Sequence, residues 1–185
     1  IEPSERIYVR REKREREVAA AFLVDLSGST SRQVDEGRRI IDIEKQGLVL
    51  LCEALTAIGD QFAVYGYSGQ GRHQVDFVVI KGFDEPVTGR AGAKLGGILP
   101  LQQNRDGAAI RHASSKLLAR QAKTRLLVVI SDGRPLDDGY KDEYALEDTR
   151  MALREARASG IEPVRITIDK QADPYLRRMY GDVRY

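Results

Sequence analysis

Short apolar runs alternate along this chain with longer stretches in which apolar residues recur at helical spacing. Residues 18–24 read Val-Ala-Ala-Ala-Phe-Leu-Val, a continuous run that predicts a strand buried on both faces. Over Ile40–Ile58 the apolar positions Ile40, Ile43, Gly47, Leu48, Leu51, Leu55 and Ile58 predict a helix, with Gly59 placed to end it. Strands are predicted at 62–67 and 75–80. The Ser68-Gly69-Gln70-Gly71 turn between them is short, so these two strands should pair as an antiparallel hairpin. Ala108, Ala109, Ile110, Ala113, Leu117 and Leu118 predict a helix over 107–120. Residues 125–130 (Arg-Leu-Leu-Val-Val-Ile) are the strongest buried-strand signal. A helix over 145–159 closed by Gly160, a strand at 164–168, a short helix at 172–180 and the start of another strand at 183–185 complete the pattern. Strands alternating with helices imply right-handed crossovers. The expected fold is α/β: a doubly wound, mainly parallel sheet with one antiparallel edge strand and helices on both faces.

A length of 185 residues suits one domain of ordinary size. Residues 1–17 alternate basic and acidic side chains and read as a charged linker or N-terminal extension, with the domain proper at 18–185. The chain starts at Ile1 without Met or a signal peptide, and its last residues read as a strand just beginning. It is therefore expected to be the C-terminal-type domain of a longer, cytoplasmic protein. Lys and Arg number 30 against 28 Asp and Glu, a net charge of +2, which gives no global reason to expect nucleic acid or an anionic membrane as partner. The most apolar stretch, 47–59, contains Glu53 and falls short of the ~18 residues a membrane span needs, so no membrane insertion is expected. Cys52 is the single cysteine. An intrachain disulfide and a cysteine-based zinc site are both excluded, and with only His73 and His112 a histidine cage is disfavoured. Cys52 is expected to be buried and inert, and His112 to be a partly exposed helix residue.

Ligands of an open parallel sheet gather beyond the carboxyl ends of its strands, and three loops qualify. The first reads Asp25-Leu26-Ser27-Gly28-Ser29-Thr30, the second Gln103-Asn104-Arg105-Asp106-Gly107, and the third Ser131-Asp132-Gly133-Arg134-Pro135. Alternate Asp, Ser and Ser side chains leaving a strand can be aimed at one point. Their oxygens are hard ligands suited to Mg²⁺ or Mn²⁺ rather than zinc. Asp132 ends a strand expected beside the first, so its carboxylate can face the same point. Either loop alone also reads as a helix cap or a turn; the two at adjacent strand ends favour a site.

Asp25-x-Ser27-x-Ser29, with Asp132-Gly133 after the strong central strand, resembles the metal-ion-dependent adhesion site of von Willebrand factor A domains, over about residues 18–185. Ile41-Asp-Ile-Glu-Lys45, Lys81-Gly-Phe-Asp-Glu-Pro86, Gly107-Ala-Ala-Ile-Arg-His112 and Glu147-Asp-Thr-Arg150 further resemble the C-terminal domain of NorD and CbbO proteins. Those are companions of hexameric MoxR-type AAA+ ATPases, associated with activation of nitric oxide reductase and of Rubisco. The resemblance implies binding without turnover. Ser27 and Ser29 ligate Mg²⁺ (or Mn²⁺ or Ca²⁺) directly, Asp25 and Asp132 directly or through water, and a target protein's Asp or Glu carboxylate takes the open position. The family's second-loop threonine falls here on Asn104, whose amide oxygen can still ligate; Asp106 is the alternative ligand.

A chelatase-like von Willebrand A subunit is a second binding reading. The enzyme alternative is a haloacid-dehalogenase-like phosphotransferase with Asp25 as nucleophile. Its acid/base Asp would stand at Ser27, which cannot shuttle a proton near neutral pH. Asp137 and Asp138, the nearest candidates for its distal metal carboxylates, are expected to be solvated turn residues. No P-loop or G-x-S-x-G elbow occurs, so the domain is expected not to be an enzyme. Tyr140 and Tyr144 lie near the proposed metal face, where they would serve either as an exposed contact rim or as cover for the adjacent helix.

Overall fold

The computed structural model describes residues 18–34, 37–87, 89–133 and 135–167. The linker expected over 1–17, the helix over 172–180 and the strand start at 183–185 lie outside them.

Among the described residues, five strands form one sheet: β1 (Val18–Asp25), β2 (Gln61–Gly69), β3 (Val75–Lys81), β4 (Thr124–Ser131) and β5 (Ile161–Thr167), in the order β3-β2-β1-β4-β5. β1 is central and pairs in parallel with β2 and β4, and β4 pairs in parallel with β5. β3 is the antiparallel edge strand that the short Gly-rich turn predicts. The continuous apolar run of β1 has its expected cause. Ala19, Ala21 and Leu23 enter one core, while Ala20, Phe22 and Val24 enter a second core on the opposite face. Successive strand side chains point to opposite faces, so a strand covered on both sides cannot alternate apolar with polar.

Helix α1 (Ile40–Ile58) contributes Ile41 and Leu48 to one core, together with Leu95 of α2 (Gly89–Gly96). The other core takes Ala109, Ile110, Ala113 and Leu117 from α3 (Asp106–Leu118), and Leu146, Ala152, Leu153 and Ala156 from α4 (Asp142–Ala158). α1 stops where its sequence indicates. Gly59 takes a left-handed φ of 84° and its N–H returns to the Leu55 carbonyl, a conformation in which a Cβ would be strained.

Three details differ from the sequence expectation. α2 carries three glycines, Gly89, Gly92 and Gly96, which hide its helical period. β5 begins at Ile161 and runs through Pro163; a proline, unable to donate to a ladder, is tolerated there because β5 is an outer strand among the described residues. Within α1 only Ile40, Ile41, Glu44 and Leu48 are buried, so Gly47 and Ile58 face solvent and a carboxyl takes an inward position.

Backbone hydrogen bonds stitch together the loops at the carboxyl edge of the sheet. Leu26 N–H donates to Tyr67 O at 2.9 Å, Leu101 N–H to Leu26 O at 2.6 Å, and Gly28 N–H to Gln102 O at 2.7 Å. Gly69 and Gln103 exchange N–H···O bonds of 2.8 and 3.0 Å, and Asn104 N–H reaches Leu136 O at 3.1 Å. The three loops singled out by sequence are thus held side by side.

Candidate functional site

Asp25 is the last residue of β1 and is fully buried. Its Oδ1 accepts the Ser27 N–H at 2.7 Å, which folds the first loop back over the strand end. Its Oδ2 accepts from Asn104 Nδ2 at 2.6 Å and Ser131 Oγ at 3.1 Å. The loop then makes a short 3-10 turn, Gly28–Ser31, which brings the two motif hydroxyls together. Ser27 Oγ and Ser29 Oγ are 2.9 Å apart, and Ser29 Oγ donates to Asp132 Oδ1 at 2.9 Å. Ser27 is buried and Ser29 is exposed, so this cluster runs from the sheet edge out to solvent.

The structure therefore brings Asp25, Ser27, Ser29 and Asp132 to one place. Asn104 also reaches it, but with its amide nitrogen turned to Asp25; its Oδ1 accepts the Leu136 N–H at 2.7 Å. Both ends of the amide are used, and their two partners fix which end is which. Asp106 makes different contacts: its Oδ1 accepts the Tyr67 hydroxyl at 2.8 Å and its Oδ2 lies 3.8 Å from Arg165 Nη1. Arg165 also donates to Ser131 Oγ at 3.0 Å and to the Gly133 carbonyl at 2.6 Å, steadying the loop that carries Asp132.

One expectation around the site needs correction. Asp137 is not a solvated turn residue; it is 3% exposed. It forms an ion pair with Arg105 and accepts the Gly71 N–H at 2.9 Å, so one carboxylate joins the β2–β3 hairpin, the second loop and the third loop. Tyr140 takes the second of its two readings, cover for the adjacent helix: it is 1% exposed and its hydroxyl donates to Asp148 of α4 at 2.7 Å. Tyr144 is 61% exposed and meets Tyr140 edge-on at 5.3 Å. Cys52 is half-buried rather than enclosed, with its thiol pushed up by burial. His112 is exposed on α3, its ring edge-on to Phe77 at 4.5 Å.

Carboxyl charge accumulates here. Burial first, then the Asp106 charge, pushes Asp25 up to about 7 against the lowering effect of the Ser27 N–H. Burial likewise raises Asp106 and Asp132. Glu44, which sequence reasoning placed on α1 without a role, belongs to the same group. Burial and then the charges of Asp25 and Asp132 push it up to about 9. Its one signal in the sequence is an acid standing on the helix's inward stripe. Arg165, Tyr67 and Ser131 gave no such signal, because their roles depend on which strands become neighbours.

The donors are all oxygens: two adjacent hydroxyls flanked by two carboxyls. That set suits a hard divalent cation and not a soft one. Among the described residues no three His, Cys, Asp or Glu side chains come together as a metal cage.

The raised carboxyls imply a pH dependence. A carboxyl whose folded pKa exceeds its unfolded value holds a proton that unfolding releases, so its contribution is intact below about pH 4 and is lost as pH rises. The window runs to about 7 for Asp25 and about 9 for Glu44. Asp42, Asp84 and Asp137 are lowered and act only at acidic pH, outside it. Urea unfolding in EDTA is expected to give a chain less stable at pH 8 than at pH 5 by at least about 2 kcal/mol. Equal stability at both values would contradict these environments.

A doubly wound sheet with a Ser/Asp cluster at its carboxyl edge defines a class, and sequence comparison identifies it: the von Willebrand factor type A domain matches residues 21–184, and the chain belongs to that family. Among its relatives are the protein NorD of Stutzerimonas stutzeri, 38% identical over 176 residues, and that of Brucella abortus, 34% identical over 179 residues. An uncharacterised protein of Pseudomonas aeruginosa is 44% identical over 176 residues. These alignments cover 95–96% of this chain but only 28–29% of each relative, so the chain spans less than a third of the proteins it matches. The PilB minor pilin of Streptococcus sanguinis shares the fold, with a TM-score of 0.67 at 16% identity, over 95% of this chain and 57% of the pilin. No helix among the described residues is long and apolar enough to cross a membrane.

Proposed function

We propose that this domain is a cation-dependent protein-recognition module of a NorD- or CbbO-type adaptor. Ser27 and Ser29 hold Mg²⁺ directly, or Mn²⁺ or Ca²⁺ in its place, with Asp25 and Asp132 binding it directly or through water. The cation supplies an open coordination position that an Asp or Glu carboxylate of the target protein fills. Within the longer protein the module works with a hexameric MoxR-type AAA+ ATPase and delivers a target enzyme, such as nitric oxide reductase or Rubisco, for activation.

The observation that carries this reading is the convergence of Ser27 Oγ, Ser29 Oγ and Asp132 Oδ1 through successive contacts of 2.9 Å at an edge open to solvent on the Ser29 side. The remaining residues act as positioning groups. Asn104 and Ser131 fix the Asp25 carboxyl, Asp25 fixes the Ser27 backbone, and Arg165 anchors the Gly133 carbonyl beside Asp132. Asn104 in this reading steadies Asp25 instead of ligating, and Asp106 balances Arg165. Non-catalytic binding is favoured by the same contacts. Asp25 accepts three hydrogen bonds and is poorly placed as a nucleophile, and the residue two positions on is a hydroxyl without acid–base strength.

The test is affinity of the full-length protein for the ATPase and for its target in Mg²⁺ and in EDTA, with Ser27→Ala alongside. Binding to at least one partner should require both the cation and Ser27. If every interaction survives EDTA and the substitution, the metal-mediated mechanism is wrong.

A further inference from the structure

The buried stripe of α1 runs Ile40, Ile41, Glu44 and Leu48, so a carboxyl stands where helical periodicity calls for an apolar side chain. Glu44 is 4% exposed, and neither Oε1 nor Oε2 has a hydrogen-bond partner among the described residues. A buried acid without a partner is rare and costly. The charged groups acting on it are Asp25 and Asp132, both of its own sign and both in the serine–aspartate cluster. The helix that carries it packs on the 3-10 turn that presents Ser29. A leucine at this position would extend the core formed by Ile41 and Leu48 without any of these penalties. The carboxyl thus makes the cation-free fold worse, and the packing of its helix on the serine-bearing turn shows where the compensation lies.

We propose that Glu44 is a further protein group of the cation site. It would hydrogen-bond, from the buried side of the cluster, to water in the cation's coordination shell. This rests on the reading of the cluster as a cation site. Mg²⁺ keeps several of its waters when protein-bound, and those waters need oriented partners that the serines, already committed to the ion, do not provide. Charge counting gives Glu44 its form. Asp25 and Asp132 balance a divalent cation, and a third anion would leave the site net negative and repel a partner's carboxylate. Glu44 therefore works as a hydrogen-bonding carboxyl, a role that glutamine can reproduce and methionine cannot.

The two substitutions separate this role from a merely structural one. Mn²⁺ titrations of the chain are compared for the unaltered protein, Glu44→Met, Glu44→Gln and Asp25→Ala, with urea unfolding of each in EDTA. Glu44→Met is expected to bind Mn²⁺ at least about tenfold more weakly while unfolding at the same or a higher urea concentration, so affinity and stability move in opposite directions. Glu44→Gln is expected to stay within about threefold of the unaltered protein, since it restores the hydrogen bonds. Unchanged Mn²⁺ affinity in Glu44→Met, with Asp25→Ala having lost binding, would overturn the role of Glu44 and leave the cation site standing. Mn²⁺ held equally by the unaltered chain and Asp25→Ala, or by neither, would overturn the cation site and the role of Glu44 with it.

Discussion

Replacing Asp25 with alanine is expected to weaken Mg²⁺ binding by about 100-fold or more, the upper end of what loss of a group behind metal ligands costs. The reason lies in how many parts of the site this carboxyl organises. Ser27 N–H, Asn104 Nδ2 and Ser131 Oγ all donate to it, so one side chain sets the first loop's return, the second loop's approach and the position of the third. Without it, the two serine hydroxyls lose the turn that holds them 2.9 Å apart, and three donors at a buried position lose their acceptor. Each such loss costs about 1–3 kcal/mol, offset in part because a carboxyl pushed up to about 7 no longer has to ionise in the fold. The net stability change is therefore expected to be smaller than the three losses would sum to. Isothermal titration calorimetry with Mg²⁺ checks the first, and urea unfolding checks the second. Asp25→Asn serves as the shape-preserving control and should also lose affinity, since it removes the charge.

The largest stability effect is expected at Asp137, away from the serines. Asp137→Ala should destabilise the domain by about 3–5 kcal/mol, as removal of one member of a buried ion pair does elsewhere. It would leave the Arg105 guanidinium, which stacks 4.7 Å over Tyr140, without its carboxylate, and the Gly71 N–H without an acceptor. Burial raises the Asp137 carboxyl, but the Gly71 N–H and Arg105 together outweigh it and the net displacement is downward. A carboxyl lowered in the fold stabilises above its unfolded pKa, near 4, and loses that contribution as pH falls further. The difference in urea midpoint between the native chain and Asp137→Ala should thus be full at pH 7 and shrink at strongly acidic pH. A loss below about 1 kcal/mol at pH 7 would mean that the three loops are held by their backbone bonds alone.

The contrast between these two aspartates shows what the sequence made legible. Asp25 was visible because its spacing to Ser27 and Ser29 is a local pattern at the end of an apolar run, and strand direction alone decides where such a run delivers its next side chains. The same holds for Asp132 after the strand at 125–130. The parallel sheet, the hairpin edge and the helix stop at Gly59 followed from equally local signals. Asp137 was misplaced because a Pro- and Gly-bearing acidic loop reads as solvated, while its burial arises from Gly71 and Arg105, distant in sequence and adjacent only after folding. For Tyr140 the fold selects the second of the two readings, cover for the adjacent helix. Asn104 was located correctly in the second loop, but which end of its amide faces the site depends on Leu136, more than 30 residues away. Glu44 was not part of the apolar pattern read over 40–58, and its inward position is set by the fold. Its meaning needed the sheet, since only the folded chain sets it against Asp25 and Asp132.

The central claim is that the Ser27, Ser29 and Asp132 oxygens hold one hard divalent cation. Crystals grown with Mn²⁺ test it most directly, through the anomalous scattering of the ion. The account predicts a single strong anomalous peak at about 2.0–2.3 Å from Ser27 Oγ and Ser29 Oγ, with the Asp25 and Asp132 carboxyls touching the ion or its waters, and no peak there in crystals of Ser27→Ala/Ser29→Ala. A cluster without a peak at saturating Mn²⁺, or a peak that remains after both serines are removed, would contradict it.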